Sequence, residues 1–413
     1  MPFIACPHLP LSIRTAVSLG ALAAALACNA WEPSGAARGQ EVALRAPQAN
    51  RTAGGVLIRV GEALSLSDRA GPVALVDLNG DERLDLVVTE HGYPPRVFVG
   101  NGEGSFEEQS SQGAVSLTHP SDIAAGDQNR DGHLDLIIAD HESHAFHVLL
   151  GNGDGTLRPA AMSPVEIVAA PHIHTLSVGD IDQDDWLDVV TDSWQNARVY
   201  FHRGNADGFS VDREGVDVAP QPRNNVRLVD LNGDGALDFA APGSSSSTVT
   251  VLLGDGNGNF AAAPGSPHPV TPSPFFVVFP DLNADGHLDI LVAHRAGNWT
   301  EDQFDGLSLL RGDGQGGFRL DSSLDAEVGG APSVIATCDL DGDGIDDAAV
   351  ANAFSRDITI VLGDEHDIRS LSPAIPVSGH PMSIACGDVD GDAKGELAVA
   401  IDDPSQVLLL APL

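Results

Sequence analysis

Seven times between residues 77 and 396 the chain repeats one nine-residue pattern: an acid, a gap, Asp or Asn, a gap, an acid, three residues and a final acid. The side-chain oxygens at positions 1, 3, 5 and 9 are those of Asp77, Asn79, Asp81 and Asp85; Asp127, Asn129, Asp131 and Asp135; Asp180, Asp182, Asp184 and Asp188; Asp230, Asn232, Asp234 and Asp238; Asp281, Asn283, Asp285 and Asp289; Asp339, Asp341, Asp343 and Asp347; and Asp388, Asp390, Asp392 and Glu396. Successive copies begin 49 to 58 residues apart. A period of that length marks a tandem array of supersecondary units, none of which can bury its apolar face alone.

Carboxylates spaced by two along a turning chain aim several oxygens into one small volume. Like charges at that range repel and are forced towards protonation unless a cation lies among them. A hard divalent ion accepting about six to eight oxygens resolves the conflict, and calcium suits it better than magnesium because its coordination is flexible and it dehydrates readily. The carbonyl of position 7 would add another oxygen. The pattern therefore predicts up to seven Ca2+ sites. Tight turns alone would explain a glycine and one Asp per copy, but not the acids at positions 1, 5 and 9. A helix-flanked calcium hand would need Glu at position 12, where no copy has it.

Glycine at position 6 permits the positive φ of a sharp turn, and Gly132, Gly235, Gly286 and Gly344 stand there. Glu82, Asp185 and Ala393 replace it in copies 1, 3 and 7. Copies 2, 4, 5 and 6 are therefore expected to be the surest metal sites and copies 1, 3 and 7 the weaker ones, with copy 7 and its Ala393 last on backbone grounds despite its full set of acids.

Short runs rich in β-branched residues flank each loop, such as Val73-Ala74-Leu75-Val76 before the first and Leu86-Val87-Val88 within its exit. A third run follows, as in Val249-Thr250-Val251-Leu252-Leu253, and ends in a glycine-rich turn such as Gly254-Asp255-Gly256-Asn257-Gly258. These read as strands, and the second turn as a hairpin without a metal. An apolar residue (Phe106, Leu157, Phe209, Phe260 or Phe318) then opens a fourth strand. Four antiparallel strands per repeat, seven times over, describe an all-β fold: a seven-bladed β-propeller with calcium loops between the first and second strands of each blade. Only two strands follow the seventh loop, and the segment from Val56 to Leu66 precedes the first copy. That segment is expected to complete the last blade and close the ring, which removes exposed sheet edges.

The Asp-x-Asn-Gly-Asp-Gly-x-x-Asp loops, the Leu-Leu-Gly-x-Gly-x-Gly-x-Phe turns and the spacing of the copies resemble FG-GAP or VCBS repeats, the units of the integrin α-subunit propeller and of many bacterial surface proteins. The resemblance covers residues 55–413 and implies a calcium-stabilised propeller used for binding. It does not imply an integrin partner, since nothing here resembles the rest of that receptor.

The chain carries 59 acidic residues against 21 basic ones. Much of the excess lies in the loops, and it argues against nucleic acid, whose phosphates it repels. Residues 1–27 read as a secretory signal, with Arg14 followed by an apolar stretch too short to span a bilayer. Cleavage after Ala25-Leu26-Ala27 would expose Cys28 for lipidation, as in bacterial lipoproteins. Ala25 stands where such signals usually carry Leu, which leaves ordinary export as the other reading. Residues 28–54 form a flexible tether. The chain is thus expected to be an exported monomer that meets a membrane only through the lipid, where extracellular calcium can fill modest-affinity loops. Cys338 and Cys386 stand one and two residues before the first acid of neighbouring copies. Strand alternation points their side chains oppositely, so a buried pair of free thiols is expected, although the compartment permits a disulfide.

On the face opposite the loops the sequence collects its unusual side chains: Tyr93, His119, His141, His144, His172, His174, Trp194, His294, Trp299 and His380. His119, His172 and His380 each stand eight residues before the first acid of their own copy and are expected near the channel mouth. The aromatics could stack on sugar rings or anchor a protein. The histidines could bind a transition metal or exchange protons, or simply fill turns. There is no Gly-x-Ser-x-Gly elbow and no His-Glu-x-x-His helix. The reading is a non-enzymatic binding or adhesion module for carbohydrate or protein. The alternatives are a polysaccharide-active lyase or hydrolase working from the same face, and a purely structural envelope module.

Overall fold

The computed structural model describes residues 57–109, 115–167, 173–193, 198–211, 216–217, 225–243, 245–295, 306–365, 368, 370–371 and 374–412. The expected signal, the tether, Cys28, His172, Trp194 and Trp299 lie outside the described residues.

The chain forms seven separate antiparallel sheets, one per repeat. The first is Ala70–Val76, Asp85–Glu90, Arg96–Gly100 and Phe106–Gln109, hydrogen-bonded in chain order. In blades 2, 3, 4 and 6 the outer strand is split in two, as in Leu157–Pro159 and Val165–Glu166, both of which pair with Ala145–Gly151. The last blade is His380–Gly387, Glu396–Asp402 and Gln406–Pro412, and its fourth strand is Leu57–Ser65 from the other end of the chain. The register there runs from Leu57 opposite Pro412 to Ser65 opposite Gln406, so the ring closes as the sequence predicts.

Apolar side chains on both faces of the second strands explain why the blades stack into a ring rather than lying as open sheets. Leu136 and Ile138 pack with Val87 and Val97 of the preceding blade, while Ile137 and Ala139 of the same strand pack with Val189 and Tyr200 of the following one. Both faces of each second strand are therefore apolar, and the sequence reads as a continuous run rather than an alternating one. Seven such clusters occur, one at each interface between successive blades, including those that join blade 7 to blades 6 and 1.

The same face-to-face stacking corrects the expectation for the cysteines. Cys338 ends the inner strand of blade 6, Cys386 lies near the end of that of blade 7, and the two form a disulfide with Cα atoms 5.9 Å apart. Opposite parity along two strands separates side chains only within one sheet. When sheets pack face to face, the facing residues come from opposite faces, so the parity read as separating the thiols is what brings them together. Both cysteines lie in the cluster between blades 6 and 7.

Candidate metal loops and the opposite face

Each acid loop joins the first strand of its blade to the second. In six blades the second strand begins on the position-9 acid, and in each of these the acid pairs with the residue just before position 1, as Val76 does with Asp85 and Gly387 with Glu396. The loop is wound around the first acid: Asp77 Oδ1 accepts the amides of Gly80 and Asp81 at 2.7 and 3.1 Å, and Oδ2 accepts that of Glu82 at 2.7 Å. Position 5 in turn accepts the amide of position 7 in every loop, as Asp81 does from Arg83.

Two residues per loop adopt positive φ, one more than the sequence suggested. Position 6 does so throughout, including Glu82, Asp185 and Ala393 at 66°, 70° and 69°. The expected weakness of copies 1, 3 and 7 is therefore not a difference in fold; the cost of a left-handed non-glycine residue is carried instead. Position 4 is left-handed as well, and in copies 2, 3 and 5 it is Arg130, Gln183 and Ala284.

The position-9 acid does more than the sequence reading gave it. Asp85 Oδ2 accepts the amide of Leu78 in its own loop, and Oδ1 that of Gly100 at the end of the third strand, each at 2.9 Å. Asp135, Asp188, Asp238 and Asp347 repeat both bonds. The third-strand glycine is required by close approach, because a Cβ on Gly100 would strike the carbonyl oxygen of Leu84. These acids are almost wholly buried. Burial, against the pull of the two amides, pushes Asp85, Asp135, Asp188 and Asp238 up to about 6 and Asp347 to about 7. Glu396, with one amide bond from Val389, is likewise pushed up to about 7. Asp289 reaches about 6 although Arg311 works against its burial.

Where position 3 is an acid, the carboxylate oxygens of positions 1, 3 and 9 converge. Asp180, Asp182 and Asp188, then Asp339, Asp341 and Asp347, then Asp388, Asp390 and Glu396 each bring ligand atoms within 4.8 Å of one another. Burial, then repulsion from Asp184 or Asp392, raises Asp182 and Asp390. Asp182 Oδ1 is buried without a hydrogen-bond partner. In the other four loops position 3 is Asn, whose amide donates to the position-5 carboxylate at 2.9 to 3.1 Å. Crowded, partly desolvated oxygens with no nitrogen or sulfur among them form a donor set that a hard divalent cation fits.

The opposite face holds an arc of imidazoles. The ring centroids of His91 and His119 lie 4.2 Å apart, those of His119 and His141 5.0 Å, and those of His141 and His174 4.5 Å, so the arc crosses blades 1 to 3. His91, His119 and His174 line a cavity of about 230 Å³ at the axial mouth, together with Arg69, Phe275 and Arg295. Arg295 lies over the Phe275 ring, and Arg69 pairs with Asp402 at 3.1 Å. Below them Arg227 of blade 4 reaches Asp122 of blade 2 at 2.8 Å, and this pair lines both the mouth and the narrower channel beneath it.

A second buried acid positions the arc. Asp140 ends the second strand of blade 2 and accepts the amides of Thr118 and His119 at 2.7 and 2.8 Å. Burial alone would raise its carboxyl, but those amides and His147 pull it down to about 2. Asp192 holds the amides of His174 and Thr175 in the same way. Burial, His119 and Arg69 hold His91 below the usual imidazole range. His91 occupies in blade 1 the place of His141 in blade 2, directly after the second strand, on the face where the sequence already places it.

The remaining candidates disperse. His380 bonds to the Ala353 carbonyl at 2.6 Å and to Arg356 at 3.0 Å, away from the cavity. Tyr93 is exposed in the turn after His91, and His144 lies in the turn after Asp140 with φ of 54°. His294 is fully buried against the Pro272 carbonyl and offers no surface, because it ends the second strand of blade 5, the position Asp140 occupies in blade 2.

The family model for FG-GAP-like repeats matches residues 77–138, 127–191, 230–292 and 281–350. No curated protein matches the chain. Among solved structures it is similar to a lectin of Agrocybe aegerita studied for specific recognition of non-reducing terminal N-acetylglucosamine, at 17% identity and TM-score 0.52 over 84% of this chain and 86% of that one. It is also similar to BBS1N, solved in complex with ARL6DN, at 12% identity and TM-score 0.57 over 86% of this chain and 97% of that one. A protein from Lactobacillus plantarum gives 16% identity and TM-score 0.53 over 77% of this chain and 89% of its own. At these identities the likeness is one of fold.

Proposed function

The chain belongs to the FG-GAP-like repeat family, and we propose that it is an exported, calcium-binding propeller that acts without chemistry of its own as a binding module for carbohydrate. Acylation of Cys28 would tether the monomer to the cell surface. The calcium sites are the acid loops, foremost those of copies 3, 6 and 7 where three carboxylates converge, and bound ions would keep the buried carboxylates ionised while leaving the ring intact. The observation that carries the binding reading is the imidazole arc over a small cavity at the axial mouth, ringed by Arg69, Arg295 and Phe275. A cavity of about 230 Å³ is smaller than the roughly 300–1,000 Å³ of pockets that enclose a whole small molecule. It suits one sugar of a longer chain, with ring faces and charged edges supplying stacking and hydrogen bonds.

A glycan array probed with the mature chain, with and without chelator, tests the reading. Binding should appear, weaken in His119→Ala and His174→Ala, and survive in Arg130→Ala, which lies on the loop face. Silence across the array, with a protein captured through the same histidines, would move the ligand class to protein. The appearance of unsaturated ends in incubated polysaccharide would make the chain a lyase.

A further inference from the structure

The seven loops are not equally open to an ion. The residue before the third-strand glycine is Val99, Leu150, Leu253 and Leu362 in copies 1, 2, 4 and 6, but Arg203 and Arg311 in copies 3 and 5. Arg311 turns its guanidinium into loop 5. Nη1 donates to Asp289 Oδ2 at 2.8 Å and Nε to Asp321 Oδ2 at 3.1 Å, and the side chain is 12% exposed. It lines one recess with Asn283 and Asp285, the third and fifth positions of that loop. We propose that Arg311 is the resident cation of loop 5, and that this loop takes no calcium while its neighbours do. The inference rests on reading the acid loops as calcium sites.

The chemistry of the pair supports the exchange. A guanidinium is charged at every accessible pH and offers its donors in a rigid fork that matches carboxylate oxygens. The Oδ2 that it takes in loop 5 is the atom that in loops 1 to 4 and 6 accepts only a neutral amide or, in loop 3, an amide and a more distant guanidinium. Loop 5 carries three acids and an Asn, so Arg311 brings its formal charge to minus two. Loop 6 carries four acids and reaches the same value only with a divalent ion. A fixed positive charge beside the oxygens also repels an incoming cation.

Arg203 marks the boundary of the effect. Its Nη1 stands 3.4 Å from Asp188 and 3.5 Å from Asp182, while Nη2 is held by the Gly258 carbonyl of the next blade at 2.8 Å. Loop 3 has four acids, and three of them still converge. Arg203 therefore weakens an ion in loop 3 without replacing it.

Counting calcium per chain by native mass spectrometry after dialysis decides the matter. Neutralising loop 5 with Asp285→Asn should leave the count unchanged, whereas Asp343→Asn in loop 6 should lower it by one. Arg311→Leu, which installs the residue of copies 2, 4 and 6, should raise it by one. A count that falls in Asp285→Asn, or fails to rise in a folded Arg311→Leu chain, overturns the assignment. If Arg311→Leu does not fold, the Asp285→Asn arm decides alone. A wild-type chain that takes up no calcium in any loop overturns the calcium reading itself, a different result from a loaded loop 5.

Discussion

Acidification from pH 7.5 to 5.5 is expected to weaken calcium binding unequally around the ring. In the ion-free fold burial pushes Asp347 and Glu396 up to about 7, and Asp85, Asp135, Asp188 and Asp238 up to about 6. An ion needs these carboxylates ionised, so protons compete for them. A group titrating near 7 is about 76% ionised at the upper pH and about 3% at the lower, which costs loops 6 and 7 a factor of about 25 in affinity. Near 6 the fractions are about 97% and about 24%, and loops 1 to 4 lose only about 4-fold. The calcium-free chain should move the other way. An acid raised in the fold stabilises it fully below its unfolded value, near 3.8 for Asp, and that contribution is lost as the pH climbs through 6 to 7. Equilibrium dialysis at the two pH values reads the first effect, and calorimetry of resin-stripped protein reads the second. Equal calcium affinity at both pH values, or a stripped chain that melts lower at pH 5.5 than at 7.5, would refute the reasoning.

Three further outcomes test the frame. Cys338 and Cys386 are separated by 48 residues, a closure worth about 4 kcal/mol by chain entropy, so replacing both with Ala should lower the urea-unfolding free energy by up to that amount. In a chain begun at residue 29, which leaves out Cys6 and Cys28, two titratable thiols in the unreduced, denatured state would contradict the bridge. Arg227 and Asp122 are both 13% exposed, so Arg227→Leu alone should cost about 3–5 kcal/mol, only part of it recovered when Asp122→Leu is added, because that change also strips the Leu176 amide of its acceptor; an unaltered urea midpoint in the single variant would dismiss the pair. A Cβ on Gly395 would run into the sulfurs of both cysteines. Gly395→Ala should therefore cost about 1–3 kcal/mol by overpacking, and an unchanged melting temperature would place that loop further from the bridge.

What could be read in advance follows from where the information is local. Apolar runs such as Leu136-Ile137-Ile138-Ala139 announce a strand covered on both faces, and the unpaired segment at Leu57–Ser65 announces closure, because each needs only its own residues and a count of strands. The loop acids were legible for the same reason. Position 4 was not, because Arg130, Gln183 and Ala284 give no sign of the left-handed backbone that their loops impose. Arg227 and Asp122 stand 105 residues apart in blades 4 and 2 and meet only because the ring curves around its axis. The cysteines show how a correct local rule misleads: alternation held along each strand, but the deciding geometry lay between sheets.

The two ends of one strand show why the loops, and not the histidine face, should govern stability. In blade 2 the strand Asp135–Asp140 begins and ends on buried carboxylates. Both accept two backbone amides, yet Asp135 is pushed up to about 6 and Asp140 pulled down to about 2. Burial raises both carboxyls; at Asp140 His147, 3.5 Å away, and the two amides overcome it, while at Asp135 two amides alone do not, and Asp131 and Asp127 add to the rise. An acid completed by a partner within the chain owes nothing to the solvent. One desolvated among other acids holds its proton to higher pH and is completed only by an external cation, and its hydrogen bonds to the loop and to the third strand tie that need to the integrity of the blade. Chelation should therefore soften the ring from the loop face, and the amides that hold His119 and His174 in place should protect from hydrogen exchange longer than those of Gln128 and Gly151. Simultaneous loss of protection on both faces would show that the blades open as single units rather than from the loops.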